Sequence, residues 1–253
     1  LIGRLIYFSI FKNGIYKRQV LSQQNYSSET LPYKRGDILD RDGNTLATSQ
    51  KMYTLVLEPK NILRSEEVQK STIDALHKYM KLDEDKLLKF IKRHKDSYYS
   101  VYREELSYSQ IADLKDFIAS DKAENVSGIV FNEKYKRRYP NQSLASQVIG
   151  FISDGTIGTG GIEQYYNSTL SGVDGRKYKY LNEELEQDSS IVEPENGKTV
   201  VTTIDSNIQK LAEDQLSKFE KKYGSKGSSI LVMNPNNGEI YAMANSTSYN
   251  LER

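Results

Sequence analysis

Residues 35–58 combine short apolar runs, a turn signal and a stretch rich in β-branched and aromatic residues, as β-strands joined by a hairpin do. Asp42-Gly43 interrupts this stretch and is typical of a two-residue type I′ hairpin turn, because glycine adopts a positive φ without steric cost. The pattern therefore predicts a strand that ends at Leu39, a second strand that begins at Thr45, and a third strand-like run at 53–57.

From residue 65 the spacing of apolar residues becomes helical, and short strand-like runs separate the helical stretches. The predicted helices cover residues 66–80, 83–95 and 107–119, and the strand-like runs cover 98–102 and 128–131. We interpret residues 60–137 as an α+β insertion that carries no motif of its own.

The last quarter of the chain predicts one helix followed by a hairpin. A strand from Lys198 ends in Asp205, which is suited to capping a helix over 206–223. Two strand-like runs at 228–234 and 239–244 then flank a turn that contains proline and glycine. Residues 22–33, before the first hairpin, predict an extended linker. The stretches between the insertion and this region predict helices over 143–150 and from 162, and a strand over 178–181.

Composition excludes several classes of site. The 253 residues contain no cysteine, so disulfides, thiolate zinc sites and cysteine nucleophiles are excluded. The net charge of +1 and the absence of a dense basic block argue against nucleic-acid binding. The two histidines, His77 and His94, are expected on helix surfaces, so we predict no metal site.

A glycine-rich stretch at 155–163 lies between a predicted strand and a predicted helix, where a dinucleotide-binding fingerprint would lie. Counted from Gly158, the third glycine of that fingerprint is replaced by Glu163, whose carboxylate would repel a pyrophosphate. We therefore predict no cofactor.

The N-terminal segment, residues 1–20, combines an apolar run with the cations Lys12, Lys17 and Arg18. We interpret it as the end of a transmembrane helix with basic interface anchors, although the positive-inside tendency would place these cations on the cytoplasmic side. An amphipathic core helix is the alternative.

Three motifs remain that this pattern does not explain. They are Arg35-Gly36-Asp37-Ile38-Leu39-Asp40-Arg41-Asp42-Gly43, then Arg138-Tyr139-Pro140, then Gly158-Thr159-Gly160-Gly161-Ile162-Glu163. Taken singly, the first would be a solvated charged hairpin and the second a basic turn. Taken in this order, and followed by Thr203-Ile204-Asp205 and Gly238–Ala244, they resemble the class B penicillin-binding proteins over residues 30–250.

The resemblance implies an α+β fold, in which an elongated, multi-lobed pedestal is followed by the first helix and hairpin of a transpeptidase α/β sheet. It divides the chain into the span end at 1–20, a pedestal at 21–59 and 138–197, the insertion at 60–137, and the transpeptidase start at 198–253.

The resemblance also implies that the three motifs converge in the pedestal, where we expect Arg35, Arg41 and Arg138 to pair with Asp40 and Glu163. Arginine–carboxylate forks in a partly buried setting fix geometry better than lysine could. The expected network and partner-coupling residues are Arg35, Gly36, Asp40, Arg41, Gly43, Arg138, Tyr139, Pro140, Gly158, Gly161 and Glu163.

Members of this family acylate a serine in a Ser-x-x-Lys box, and the resemblance places that box beyond Arg253. Three stretches imitate the family's catalytic boxes and are rejected. Ser9–Lys12 lies in the membrane-proximal segment, and Ser248–Asn250 lies in a turn at the end of the chain. Lys198–Val200 has a valine where the family's box has glycine. We therefore expect no catalytic residue in this chain.

By resemblance, the chain is the anchor and pedestal of a single-pass, extracytoplasmic peptidoglycan D,D-transpeptidase, with a faint compositional hint of a Gram-positive source. The expected partners are the membrane, a glycosyltransferase of the shape, elongation, division and sporulation (SEDS) class, and peptidoglycan or lipid II as substrate of the longer protein. The alternative is a catalytically inactive scaffold that only binds or activates the glycosyltransferase.

Overall fold

The computed structural model describes residues 27–153, 155–181, 187–225 and 227–252. The predicted span end at 1–20 and most of the acidic stretch 183–187 lie outside these residues. Among the described helices, none is both long and apolar enough to cross a bilayer. The chain forms two compact units, one made of residues 51–136 and the other of the described residues before and after them.

The unit of residues 51–136 combines helices with a small sheet. Its helices are α1 (Pro59–Ile62), α2 (Glu66–Met80), α3 (Glu84–Arg93) and α4 (Tyr108–Ile118), and its strands come from β3 (Thr45–Leu57), β4 (Ser100–Leu106) and β5 (Ile129–Arg138). Strand β3 pairs with β4 and with β5. Leu55, Leu76, Ile91, Ile111 and Leu114 are fully buried in the core of this unit.

Local sequence signals explain why the helices of this unit begin where they do. The side chains of Ser65 and Asp83 accept hydrogen bonds from the backbone N–H of Val68 and Lys86 and so cap α2 and α3. Ser107 and Gln110 form a capping box at the start of α4. The three helices predicted from apolar spacing are confirmed, each to within two residues at either end.

The other unit is built from short elements. They are β1 (Ser27–Leu31), β2 (Ile38–Leu39), α5 (Ser146–Ile149), β6 (Phe151–Ser153), β7 (Ile157–Thr159), α6 (Gly161–Tyr165), α7 (Asn167–Leu170), β8 (Gly175–Leu181), β9 (Gln187–Val192), β10 (Val200–Val201), α8 (Ser206–Tyr223), β11 (Ser229–Met233) and β12 (Ile240–Asn245). Strand β2 pairs antiparallel with the start of β3 and parallel with β10. Strands β1, β8 and β9 form an antiparallel sheet, and β6–β7 and β11–β12 are two-stranded.

This unit contains two apolar clusters. One gathers Ile38, Leu46, Ile149, Leu170 and Leu251 around the first hairpin. The other joins α8 to β12 through Ala212, Leu216, Ala242 and Ala244. The predicted helix 206–223 is confirmed residue for residue, with Asp205 accepting hydrogen bonds from the backbone N–H of Asn207 and Ile208. The predicted α+β class is also confirmed.

The first hairpin turn differs from the predicted type I′ turn. Only Gly43 has a positive φ, and the loop comprises residues 41–43, with Asp40 donating its N–H to the carbonyl of Asn44. The carboxylate of Asp40 accepts the N–H groups of Asp42 and Asn44, at 3.0 and 2.8 Å, and this Asx-type arrangement favours the longer loop.

The expected linker at 22–33 is wrong for its second half, because Ser27–Leu31 is strand β1 and pairs with β8. Its residues are mostly polar, so the strand is stabilised by a partner about 150 positions away, which no local pattern reveals. The helix expected over 143–150 is limited to 146–149, and the strand expected from Lys198 is limited to Val200–Val201.

Candidate functional site

A fully buried carboxylate, that of Glu163, lies at the centre of the predicted network. Glu163 occupies the first turn of the short helix α6, directly after β7. A Cβ atom on Gly158 would lie 1.9 Å from the carbonyl oxygen of Glu163, so only glycine permits this close approach of β7 and α6. The sequence Gly158–Glu163 therefore places a charged side chain where water cannot solvate it.

Arg35 supplies the first countercharge. Its Nε donates to Glu163 Oε2 at 2.8 Å, and its Nη2 donates to the Glu163 carbonyl oxygen at 3.0 Å. Its Nη1 donates to Ser171 Oγ at 2.8 Å and to the carbonyl oxygen of Thr156 at 3.3 Å. Arg35 thus binds the side chain and backbone of Glu163 together with two neighbouring segments.

Arg137 supplies the second countercharge. Its Nε donates to Glu163 Oε1 at 2.7 Å, and its Nη1 donates to the carbonyl oxygen of Gly36 at 2.7 Å and to Ser49 Oγ at 3.2 Å. Its buried Nη2 has no hydrogen-bond partner among the described residues. Two buried arginines therefore share one carboxylate. Arg137 also contacts the first motif and the strand that follows it, and Arg35 also contacts Thr156 and Ser171.

Tyr139 completes this cluster. Its hydroxyl group lies 3.4 Å from Glu163 Oε1, and the residue is buried. Burial raises the pKa of the Tyr139 hydroxyl well above its ordinary value, and the negative charge of Glu163 raises it further. The phenol is therefore neutral and can act as a hydrogen-bond donor towards the carboxylate.

The network differs from the predicted one in one arginine. We expected Arg138 to pair with Asp40 or Glu163, and this expectation is wrong, because Arg137 binds Glu163 and Arg138 binds Glu252. Side chains alternate between the two faces of a strand, so Arg137 lies on the same side of β5 as the buried Tyr139, while Arg138 lies on the other side. Had the large aromatic side chain of Tyr139 been taken as buried, the same alternation would have identified Arg137 as the inward-facing arginine.

Asp40 is buried but pairs with none of the arginines that the structure describes, so the expected pairing with Arg35, Arg41 or Arg138 is also wrong. It accepts hydrogen bonds from Ser206 Oγ at 2.6 Å and Asn44 Nδ2 at 2.9 Å, in addition to the two backbone N–H groups of its own turn. Burial opposes ionisation of the carboxyl group, but the hydrogen bonds from Ser206, Asn44 and the backbone outweigh it and lower the pKa of Asp40 to about 2. Asp40 thereby attaches the first hairpin to the first residue of α8.

Arg41 and Arg138 bind residues of the last quarter of the chain instead of the buried carboxylates. The guanidinium group of Arg41 lies 4.3 Å from the centroid of the Tyr241 ring, and its backbone N–H donates to the carbonyl of Ile204. Arg138 forms an ion pair with Glu252 at 3.1 Å. Both arginines therefore connect motif residues to residues 204–252, which we call the helix–hairpin region.

The remaining predicted residues shape the backbone around these charges. Gly36 adjoins the carbonyl of Lys198 so closely that a Cβ atom would lie 2.0 Å from its oxygen. Gly161 begins α6. Pro140 is exposed in the turn that follows β5, where Gln142 N–H donates to the Tyr139 carbonyl at 2.8 Å.

This arrangement is suited to holding segments in place. Its members are guanidinium groups, carboxylates and glycines that join residues 35–40, 137–139, 158–163 and 206, and none of the contacts presents an activated nucleophile. Within the described ranges, no group of three or more histidine, cysteine, aspartate or glutamate residues could hold a metal ion. Of the rejected look-alike stretches, Ser9–Lys12 lies outside the described residues.

Comparisons with known proteins agree with this picture. Residues 30–202 match the family model described as the penicillin-binding protein dimerisation domain. The chain is 27% identical to a probable peptidoglycan D,D-transpeptidase PenA of Neisseria meningitidis, with 100% of the chain and 42% of that protein covered. It is 28% identical to stage V sporulation protein D of Bacillus subtilis, over 86% of the chain and 33% of that protein.

A solved structure is also similar. The crystal structure of penicillin-binding protein 2X from Streptococcus thermophilus matches with a TM-score of 0.73 and 26% identity, covering 88% of this chain and 36% of that one. The chain thus spans about two fifths or less of the length of the proteins that it matches here.

The Asp40 arrangement predicts a specific pH dependence. Because the pKa of Asp40 is about 2 in the folded chain and 3.8 as its ordinary value, its contribution to stability is complete above about pH 4 and is lost as the pH falls towards 2. The free energy of unfolding in urea should therefore be about 1–2 kcal/mol lower for Asp40→Asn than for the unsubstituted chain at neutral pH. This difference should narrow between pH 4 and pH 2.

Asp42→Asn, at an exposed position of the same turn, is the matched control. Its free energy of unfolding should change with pH in the same way as that of the unsubstituted chain. A deficit of Asp40→Asn that stays constant down to pH 2 would contradict the assignment.

Proposed function

The chain belongs to the family of the penicillin-binding protein dimerisation domain, and on that premise we propose that it is the pedestal of a peptidoglycan D,D-transpeptidase. In this proposal the pedestal positions a catalytic domain above the membrane, and the chemistry is carried by a serine outside these 253 residues. The relatives with D,D-transpeptidase names support it, as does their greater length.

One observation carries the positioning role. The carboxylate of Glu163 binds Arg35 from the first motif and Arg137 next to the second motif, so three segments that are far apart in sequence meet at one buried charge. Bidentate and buried arginine contacts fix orientation more strictly than exposed pairs. Such a network is suited to keeping a supporting structure at a constant geometry.

A second observation supports a fixed connection between the first motif and the helix–hairpin region. Asp40 binds Ser206 at the start of α8, and Arg41 stacks on Tyr241 in β12. The first motif therefore contacts both the buried network and the helix–hairpin region, which the resemblance assigns to the start of the transpeptidase domain.

Covalent labelling with a fluorescent penicillin tests the enzymatic part of this proposal. The label forms an acyl-enzyme on an active serine, so we expect it on the product that cells make from this gene and not on the isolated 253-residue chain. Preincubation with unlabelled penicillin is the control and should abolish the signal.

Labelling of the isolated chain would show that one of the rejected look-alike stretches is catalytic. Absence of label from both samples would favour the alternative, a scaffold without transpeptidase activity.

We also propose that the longer protein is anchored by its N-terminal segment and couples to a SEDS-class glycosyltransferase through the pedestal. The resemblance supports this partner. The contacts of Arg138 also support it, because this partly exposed arginine joins the second motif to Glu252 at the end of the described chain.

Charge reversal tests the coupling. Arg138→Glu would place two carboxylates together, so we expect weaker stimulation of lipid II polymerisation by a reconstituted pair of the cellular protein and its glycosyltransferase, with membrane insertion unchanged. The double variant Arg138→Glu/Glu252→Arg should restore the stimulation, because the ion pair is rebuilt in reverse. Polymerisation that stays at the original level in Arg138→Glu would argue against coupling through this pair.

A further inference from the structure

The segment Pro140–Gln147, which begins at the last residue of the second motif, contains two strained residues. Four non-glycine residues of the described chain have a positive φ, and two of them are Gln142 at 53° and Ala145 at 52°. The left-handed region is unfavourable for residues with a Cβ atom, and such residues persist where the surrounding contacts impose them. Two such residues within four positions are therefore expected to be held in this conformation by contacts with neighbouring segments.

The first of these contacts comes from helix α8. Glu213 Oε1 accepts the backbone N–H of Ala145 at 2.8 Å. The same oxygen accepts Gln209 Nε2 at 2.8 Å, and Gln209 is itself fully buried and bound to the backbone of Met243 in both directions. The carboxylate of Glu213 is thus aimed at Ala145 by a side chain that cannot easily move.

The second set of contacts comes from residues 247–252. The carbonyl of Gln142 accepts the N–H of Leu251 at 3.2 Å, and Leu251 packs in the same apolar cluster as Ala145. Ser146 accepts the N–H of Tyr249 on its side chain and the Tyr249 hydroxyl on its carbonyl, at 3.2 and 3.1 Å. Gln142 is therefore held by a backbone hydrogen bond from Leu251, while Ala145 is held by Glu213 and is followed by Ser146, which binds Tyr249.

We propose that Pro140–Gln147 is a strained latch, with Glu213 as the positioning residue that keeps it closed. While the latch is closed, α8 and residues 247–252 are fixed to the segment that follows the buried network. When the contact between Glu213 and Ala145 is lost, the strained backbone relaxes and both partners are released together. The latch thereby provides two discrete states at the joint between the pedestal motifs and the helix–hairpin region.

The polar character of this joint favours such a release. Apart from the apolar cluster that contains Ala145 and Leu251, the contacts given above for the latch are hydrogen bonds, which water can replace once the segment opens. The proposal concerns the conformation of this chain and does not depend on transpeptidase activity, so it can fail or succeed independently of the proposed function.

Hydrogen exchange tests the latch directly. In Glu213→Ala, deuterium uptake over residues 140–149 and 247–252 should be at least about tenfold faster, while uptake in α2 of the other unit stays unchanged. Glu213→Gln is the matched control and should behave like the unsubstituted chain, because its Oε1 still accepts both hydrogen bonds. Unchanged uptake in Glu213→Ala, or an equal rise in both units, would overturn the proposal.

A glycine substitution tests the strain separately. Gln142 is exposed, so Gln142→Gly removes the left-handed penalty without loss of packing, and we expect Tm to rise by about 2–4 °C and uptake over 140–149 to slow. Ser143→Gly, at a neighbouring position without a positive φ, should lower Tm because it only increases the freedom of the unfolded chain. A decrease of Tm in both variants would show that Gln142 is not strained.

Discussion

The burial of the Glu163 carboxylate is the constraint on which the organisation of the larger unit depends. A carboxylate without access to water is costly unless hydrogen bonds and opposite charge compensate it. Arg35 and Arg137 provide both, and each of them is also buried and needs the acceptors around it. The three side chains are therefore interdependent, and none can move without leaving a charge unpaired.

This interdependence explains why segments distant in sequence share one location. Arg35 lies 128 positions before Glu163, and Arg137 lies 26 positions before it. An apolar core of similar size would tolerate small shifts between its segments, whereas arginine–carboxylate geometry is directional. A buried ionic cluster does not ensure greater stability, but it can specify one arrangement among several. For the proposed pedestal, such a fixed arrangement is the property that matters.

Two attachments extend this fixed arrangement towards the helix–hairpin region. One is the hydrogen bond from Ser206 to the ionised Asp40, and the other is the segment Pro140–Gln147 with its bonds from Glu213 and Leu251. The first begins in the hairpin that carries Arg35, and the second begins directly after Arg137 and Tyr139. Both attachments thus start from residues beside the buried network, which links the geometry of the motifs to that of α8.

The sequence predicted local structure better than it predicted side-chain partners. The boundaries of α2 and α8 could be predicted because apolar spacing and capping residues act over a few positions. The convergence of Arg35 with Glu163 could be expected only from the resemblance to a family. The choice of Arg137 over Arg138 depends on which face of β5 turns inward, and a shift of one residue reverses that choice. Strand β1 and the strained residues Gln142 and Ala145 depend on partners more than 65 positions away, so local reasoning had no signal for them.

A double-mutant cycle on Arg137 and Glu163 would test the central claim most directly, with the free energy of unfolding in urea as the measured quantity. Glu163→Ala should destabilise the chain by about 3–5 kcal/mol, because it leaves two buried arginines without their carboxylate. Adding Arg137→Ala to Glu163→Ala should lower the free energy of unfolding much less than Arg137→Ala does alone. The coupling between the two positions should be about 1–3 kcal/mol. The exposed pair of Lys134 and Glu104 is the control and should show a coupling below about 1 kcal/mol. A loss below about 1 kcal/mol for Glu163→Ala, or effects of the two substitutions that simply add, would contradict the account.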